Sequence, residues 1–206
     1  MSPGKFIVLE GGEGCGKTTQ VEKLNVRLAA AGHATTVVRE PGGTRIGEAI
    51  REVLLDAGNG VMTVGAELLL YMACRAQLVH EVIAPALEEG RVVLADRFLT
   101  STIVYQGIAG GMGEQEVLNL YRATCGETRP DLVIVLDLSA EAGLSRIKGG
   151  RDRVEQKPIA FHRDVRDGYL AVAGNDTERY AVVDASKPVD AVTDAVWQEV
   201  MRRVIR

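Results

Sequence analysis

An α/β fold of three layers, built on a five-stranded parallel sheet, is what this sequence predicts, and three observations predict it. Short β-branched apolar runs alternate with longer helical stretches, each run is nearly continuous in apolar residues, and a glycine-rich segment joins the first run to the first helix. Continuous apolar runs mark strands buried on both faces, as in a parallel sheet covered by helices.

The elements follow in order. Phe6 to Glu10 reads as the first strand, Lys17 to Ala31 as a helix and Thr35 to Arg39 as the second strand, which is the grammar of a βαβ unit. Further strands are expected at Val92 to Asp96, Asp131 to Asp137 and Ala181 to Val183. Helices are expected at Arg45 to Asp56, Gly65 to Glu88, Glu114 to Cys125, Ala140 to Lys148, Ala160 to Ala173 and Val189 to Val204. Gly107 to Gly113 (GIAGGMG) reads as a mobile surface loop, and the polar stretch Lys148 to Pro158 as an interruption between two helices. No repeat or linker divides the chain, so residues 1–206 are expected to form one domain.

Composition narrows the function classes. With 46% hydrophobic and 25% charged residues the chain is of globular type. Its apolar runs are far shorter than the roughly 20 residues that span a bilayer, and its start lacks a secretory h-region, so a cytoplasmic location is expected. Cys15, Cys74 and Cys125 are odd in number and scattered, which fits free thiols rather than a disulfide framework or a structural metal site. A net charge of −4 offers no general basic surface for nucleic acid, so any phosphate must be bound locally.

A local phosphate site is present. Gly11 to Thr18 (GGEGCGKT) fits G-x-x-x-x-G-K-[ST], with a strand before it and a helix opening at its end. The backbone N–H groups of Gly11, Gly12, Glu13, Gly14, Cys15 and Gly16 would curl around phosphate oxygens, and Lys17, Thr18 and Thr19 open a helix whose positive dipole end points the same way. Lys17 would reach the β- and γ-phosphates of ATP, and the Thr18 hydroxyl would ligate Mg²⁺. A bare turn between strand and helix would need a glycine or two but has no use for Lys-Thr at its end.

The energy could serve three purposes. A GTPase switch needs an N-K-x-D reader, and the nearest segment, Ser186 to Asp190 (SKPVD), lacks it; a motor or transport ATPase needs larger coupling modules. A small-molecule kinase fits the length, with an acceptor pocket and a closing lid. Asp96 and Asp137 both end buried strands, where open α/β sheets hold ligands, and position alone does not choose between them. Arg97 beside Asp96 favours Asp96 as the metal ligand, because a fixed guanidinium there can hold an acceptor phosphate in line.

With the glycine-rich loop, Arg39 to Gly43 (REPGG), Tyr71 to Arg75 (YMACR) with Gln77, Asp96 to Gln106 (DRFLTSTIVYQ) and Arg129 to Asp131 (RPD), the chain resembles the bacterial thymidylate kinases over nearly its whole length. The resemblance implies a P-loop nucleoside monophosphate kinase fold and phosphoryl transfer from ATP to dTMP, another nucleoside monophosphate kinase or a regulatory ATP-binding switch being the alternatives. It implies that Tyr71 stacks on thymine and Arg75 donates to its O4; read alone, Tyr71 would be core and Arg75 a surface charge. It also implies that Arg39 and Arg97 hold the dTMP phosphate and that Ser101, Tyr105 and Gln106 surround base and sugar. Glu40 would orient an arginine or simply solvate a turn. Phe98 and Val104 stand where the family more often has Tyr or His, and Ala.

An ionised phosphate oxygen needs no strong general base, and His33, His80 and His162 lie outside every motif, each reading as a surface or helix residue. Catalysis should be positioning plus charge neutralisation. The resemblance implies an extra arginine either in the loop or in a lid. None stands among the variable loop positions Gly12 to Cys15, so the chain resembles the lid-arginine type, with Arg151 and Arg153, behind Gly149-Gly150 in a lid at about 148–158, as the expected extra cations alongside Lys17 and Arg97; a solvated charged loop is the other reading. The resemblance implies an adenine site near the lid helix and Asp184 to Pro188, with no side chain singled out. The density of apolar residues along Gly65 to Ala86 suggests a helix with one side against a second subunit, and the resemblance likewise implies a homodimer.

Overall fold

The computed structural model describes residues 4–205. Five strands, β1 (Lys5–Glu10), β2 (Thr35–Arg39), β3 (Val92–Asp96), β4 (Leu132–Asp137) and β5 (Tyr180–Asp184), form one parallel sheet in the order β2-β3-β1-β4-β5. The central strand β1 has β3 on one side and β4 on the other. Its C-terminal end is therefore the point where successive crossovers part, and a crevice opens there between the loops.

Alternation along β1 decides what each face buries. Phe6 and Val8 join one apolar cluster with Val93, Ala95, Val133 and Val135, whereas Ile7 and Leu9 join a second with Leu94, Ile134 and Leu136. Helices α1 (Lys17–Ala30) and α9 (Val189–Arg203) cover the second face through Val21, Leu24, Leu28, Val192, Val196 and Val200. The first face carries α3 (Val64–Leu78), α6 (Glu114–Cys125) and α8 (Ile159–Asn175), with α2 (Arg45–Leu55) packed outside α3. Three layers result, as the sequence leads one to expect.

Two helical expectations need correction. The stretch expected as one helix from Gly65 to Glu88 holds a π turn, Val79–Ile83, before α4 (Ala84–Glu88). Pro85 lies just beyond it; proline has no N–H to give and its ring crowds the carbonyl one turn earlier, which a wider turn relieves. The other correction concerns Gly107 to Gly113. After α5 (Leu99–Thr102) the chain continues through a second π turn, Ile103–Ile108, so Gly107 is buried in a helical segment rather than in a mobile loop. A Cβ on Gly107 would lie 3.3 Å from Gly113 O and from Val117 Cγ2, so the missing side chain is what lets α6 approach. The remaining helix, α7 (Ala140–Arg146), ends two residues earlier than expected.

Candidate active site

The glycine-rich loop runs from the end of β1 to the start of α1, with positive φ at Gly11, Gly14 and Gly16. No acidic side chain stands in the first turn of α1, so the positive end of that helix is open to an anion. Lys17 is 8% exposed and folds back over its own loop, its Nζ donating to Gly12 O at 2.8 Å and Gly11 O at 3.2 Å. Carbonyls of this kind hold the ammonium over the cradle. Cys15 lies buried beneath it, with Sγ 3.6 Å from Nζ.

The two strand-end acids separate. Thr18 Oγ1 donates to Asp96 Oδ2 at 2.6 Å, which brings a hydroxyl and a carboxylate together beside the loop. Asp137 instead accepts two bonds from Arg166 on α8, Nε to Oδ1 at 2.7 Å and Nη2 to Oδ2 at 2.9 Å. Thr18 and Asp96 supply hard oxygen donors, and no group of three or more His, Cys, Asp or Glu gathers as a metal cage among the described residues. That pairing suits Mg²⁺, which keeps waters and phosphate oxygens and takes one or two protein oxygens.

A cavity of about 480 Å³ extends from the loop toward α2 and α3, lined among others by Lys17, Thr18, Arg39, Glu40, Tyr71 and Asp96. Arg97, Ser101, Tyr105 and Gln106 complete the same wall. Arg97 is the one non-glycine residue with positive φ among the described residues. Its Nη2 meets both oxygens of Glu13 at 2.9 and 3.0 Å, and its Nη1 reaches Gly11 O, Ser101 Oγ and Tyr169 Oη, each at 3.1 Å. Burial would raise the Glu13 carboxyl, but the charges of Arg97 and Lys17 and the Tyr105 hydroxyl outweigh it and hold the group at about 2.

The REPGG segment is fixed from behind, after a cis Glu40–Pro41 peptide. Arg39 pairs with Glu48, which also accepts from Gly43 N, and Cys74 Sγ takes the Gly42 N–H at 3.0 Å. Glu40 and Arg75 are 6% and 1% exposed; Nε and Nη2 of Arg75 grip the carboxylate at 2.6 to 3.1 Å, and Nη2 also reaches Phe98 O and Thr102 Oγ1. Arg75 is thus neither a surface charge nor a cavity-lining residue. Glu40 does orient an arginine, which rules out mere turn solvation. Only Nη1 of Arg75, whose protein contact is the Met72 thioether at 3.4 Å, is left to turn toward a base.

The lid expectation is corrected in part. Arg153 is 7% exposed and is not among the residues that line the cavity, its Nε donating to Leu54 O at 2.8 Å and its Nη2 to Glu67 Oε1 at 2.6 Å. An arginine so buried and paired is an anchor for the segment, not a cation free over the phosphates. Arg151 is exposed and lines no part of the cavity, whereas Asp152, Val154 and Glu155 of the same segment do. His162 is buried on α8 with no partner at Nε2, so of the three histidines it is the one that is not at the surface.

Several lining residues escape sequence reading. Arg51 on α2 donates to Pro41 O at 2.7 Å, and Arg146 at the end of α7 lies beside the loop with Nη1 3.4 Å from Ala185 O, on the expected adenine side. Both are ordinary helix arginines until the fold brings them to the crevice. The two departures from the pattern also find reasons. Phe98 is core, edge-on to Phe6 and Tyr121 at 4.9 and 6.0 Å, where no hydroxyl is needed. Val104 is fully buried against α8 where Gly168 makes room, since a Cβ there would lie 3.1 Å from Val104 Cγ1.

A glycine-rich loop at a helix N-terminus and a wall that carries Arg39 and Arg97, sharing one crevice, are the arrangement of a P-loop kinase. A family model described as thymidylate kinase matches residues 9–196. A thymidylate kinase of Geobacter sulfurreducens is 46% identical over 98% of this chain and 99% of its own length. One of Deinococcus radiodurans is 46% identical with the same coverage, and one of Chlamydia trachomatis serovar D is 47% identical over 92% of this chain and 95% of its own. The chain belongs to the thymidylate kinase family.

Proposed function

We propose that this protein transfers the γ-phosphoryl group of ATP to dTMP, giving dTDP and ADP. One observation carries the reading: Lys17 and Thr18 of the phosphate cradle and Arg39, Tyr71, Arg97 and Gln106 of an acceptor wall line a single cavity, with Asp96 between them. Backbone N–H groups of Gly11 to Gly16 would hold the β-phosphate, with Thr19 behind them in the first turn of α1, and Lys17 would bridge to the γ-phosphate. Thr18 and Asp96 would hold Mg²⁺, which when bound neutralises phosphate charge.

On the acceptor side Arg97 and Arg39 hold the dTMP phosphate. Tyr71 stacks on the base, Arg75 reaches O4 only by turning its Nη1 from the Met72 thioether toward the cavity, and Gln106 and Ser101 line the remaining edge. Tyr105 is pinned by its hydroxyl on Glu13 Oε1 at 2.7 Å, and its ring leaves no room for a ribose 2′-hydroxyl. The nucleophile is a phosphate oxygen already ionised at neutral pH, so the chain has only to place it and balance charge; no histidine lines the cavity. Arg146 on the donor side and Arg151 of the 148–158 lid are the cations left to meet the transferred group.

A homodimer fits the exposed row Ala66, Leu69 and Ala73 on α3, with Leu69 60% exposed, and a partner copy would cover it. No helix among the described residues is long and apolar enough to cross a membrane, and a cytoplasmic place suits the substrates. The deciding experiment is ADP release measured over a panel of nucleoside monophosphates. Preference for dTMP is expected; preference for AMP, CMP or GMP would give the chain to another acceptor, and ATP binding without acceptor-dependent turnover would make it a switch.

A further inference from the structure

One fully buried carboxylate beneath the crevice has no place in these contacts. Glu10 ends β1 immediately before the phosphate cradle, is 0% exposed and does not line the cavity. Four donors converge on it. Oε1 accepts from Phe98 N at 2.9 Å and Ser101 N at 3.1 Å, while Oε2 accepts from Ser101 Oγ at 2.6 Å and Tyr169 Oη at 2.9 Å.

The first pair shapes the backbone. Phe98 occupies the N-cap position of α5 but has no side-chain acceptor, and the N–H three residues on is the one an N-cap side chain ordinarily satisfies. Glu10 supplies that acceptor from another element. The residue just before, Arg97, has φ of 71°, a conformation an L side chain keeps only where its surroundings over-determine it. They do so here: Arg97 N donates to Leu9 O at 3.0 Å and the next N–H is held by Glu10, so consecutive residues of β1 clamp both sides of the turn.

The second pair shapes the side chain. Ser101 and Tyr169 hydroxyls lie 2.8 Å apart and have one proton each, so the one that donates to Glu10 and the one that donates within the pair both turn lone pairs toward Arg97 Nη1, which lies 3.1 Å from both. Burial holds the Glu10 carboxyl above its ordinary range, although Arg97, the Ser101 hydroxyl, the Phe98 N–H and the Tyr169 hydroxyl draw it part of the way down. Tyr169 sits on α8, the helix that follows the lid segment, so the same carboxylate also seats that helix against β1.

We propose that Glu10 is a positioning residue for the transfer: through Phe98, Ser101 and Tyr169 it sets the backbone turn and the guanidinium orientation of Arg97, and so the line on which the acceptor phosphate meets the γ-phosphoryl group. The proposal rests on Arg97 as ligand of that phosphate. Glu10→Gln keeps the shape but turns an amide N–H₂ toward hydroxyls that need an acceptor, so Ser101 and Tyr169 must reorient and Arg97 loses its seat.

The test is a cycle of Glu10→Gln, Arg97→Ala and the double variant in the full chain, with kcat, KM for each nucleotide and thermal unfolding. Glu10→Gln should lower kcat by about 10- to 100-fold, the scale of a misplacement near 1 Å, with KM for ATP within about threefold. In the Arg97→Ala background the same change should lower kcat no further, because the group it positions is gone. Near-normal kcat in Arg97→Ala alone would remove the premise. A large loss in Arg97→Ala combined with unchanged kcat in Glu10→Gln, or with full multiplication in the double variant, would overturn the proposal. Should Glu10→Gln fail to fold, Tyr169→Phe takes its place in the cycle; no effect, or a fully multiplicative one, overturns it equally.

Discussion

Arg153 in the segment 148–158 donates from Nη2 to Oε1 of Glu67 on α3 at 2.6 Å, with side chains only 6% and 2% exposed. Lys157 adds a longer contact, 3.6 Å, to the other oxygen of Glu67. The segment that lends Asp152, Val154 and Glu155 to the cavity wall is thus tied to the helix that carries Tyr71. A buried pair is worth little over an apolar replacement, but removing one partner leaves the other charge without compensation.

Arg153→Ala should therefore destabilise the fold by about 3 kcal/mol, the low end for a broken buried pair because Lys157 stays near. Urea unfolding measures it. Arg153→Met combined with Glu67→Leu should recover most of that loss. If Arg153→Ala unfolds like the parent and loses only kcat, Arg153 is a catalytic cation and its anchoring role is wrong.

Arg75 and Tyr71 should part company in the same way. Tyr71→Ala removes a ring from the cavity wall and should weaken dTMP with little change in stability. Arg75→Ala removes the cation that, among the described residues, pairs with the buried Glu40, so it should weaken dTMP and also lower stability by about 3 to 5 kcal/mol. Calorimetric titration with dTMP and thermal scans on both variants give the comparison, and an Arg75→Ala protein of parental stability would contradict the buried pair.

Much of this was legible in the sequence, for reasons that particular residues show. Strands such as Leu132–Asp137 are read from composition because both faces are buried, and Gly11 to Thr18 is read because backbone geometry, not tertiary context, dictates its glycines. What stayed hidden depends on approach between distant elements. Arg153 looks the same in a string of letters whether it swings over phosphates or locks onto Glu67, 86 positions away. Glu10 looks like the polar end of a strand until Phe98, Ser101 and Tyr169 close around it. Arg51 and Arg146 carry no local signal, and only the fold brings them to the wall of the cavity.

Acid should dissect the Glu13–Arg97 pair. The folded carboxyl sits at about 2 against an ordinary 4.5, so between those values the unfolded chain takes up a proton that the folded one refuses. Stability from this pair is complete above 4.5 and is lost as pH falls toward 2. At roughly 1.4 kcal/mol for each pH unit, the advantage of the parent over Glu13→Gln should shrink by about 2 kcal/mol between pH 5 and pH 3. Denaturant curves that stay parallel over that range would mean that Glu13 titrates alike in both states.

The last prediction concerns two glycines that let α7 dock on the phosphate cradle. A Cβ on Gly143 would lie 2.1 Å from Glu13 O, and one on Gly14, where φ is +64°, would lie 2.1 Å from Gly143 O. Both obstacles are backbone, so neither can swing aside. Within a helix, glycine to alanine ordinarily stabilises by about 0.5 to 1 kcal/mol. Gly143→Ala should do the reverse, lowering the melting temperature and pushing the cradle out of register, so that KM for ATP rises by about tenfold or more, roughly 1.4 kcal/mol of lost binding, while dTMP is held nearly as before. Gly174→Ala on α8, where an added Cβ meets nothing within 4 Å, is the control and should be neutral or mildly stabilising. An unchanged KM for ATP in Gly143→Ala would show that α7 can slide away from the loop without disturbing it, and that the close approach of Gly14 and Gly143 serves packing alone.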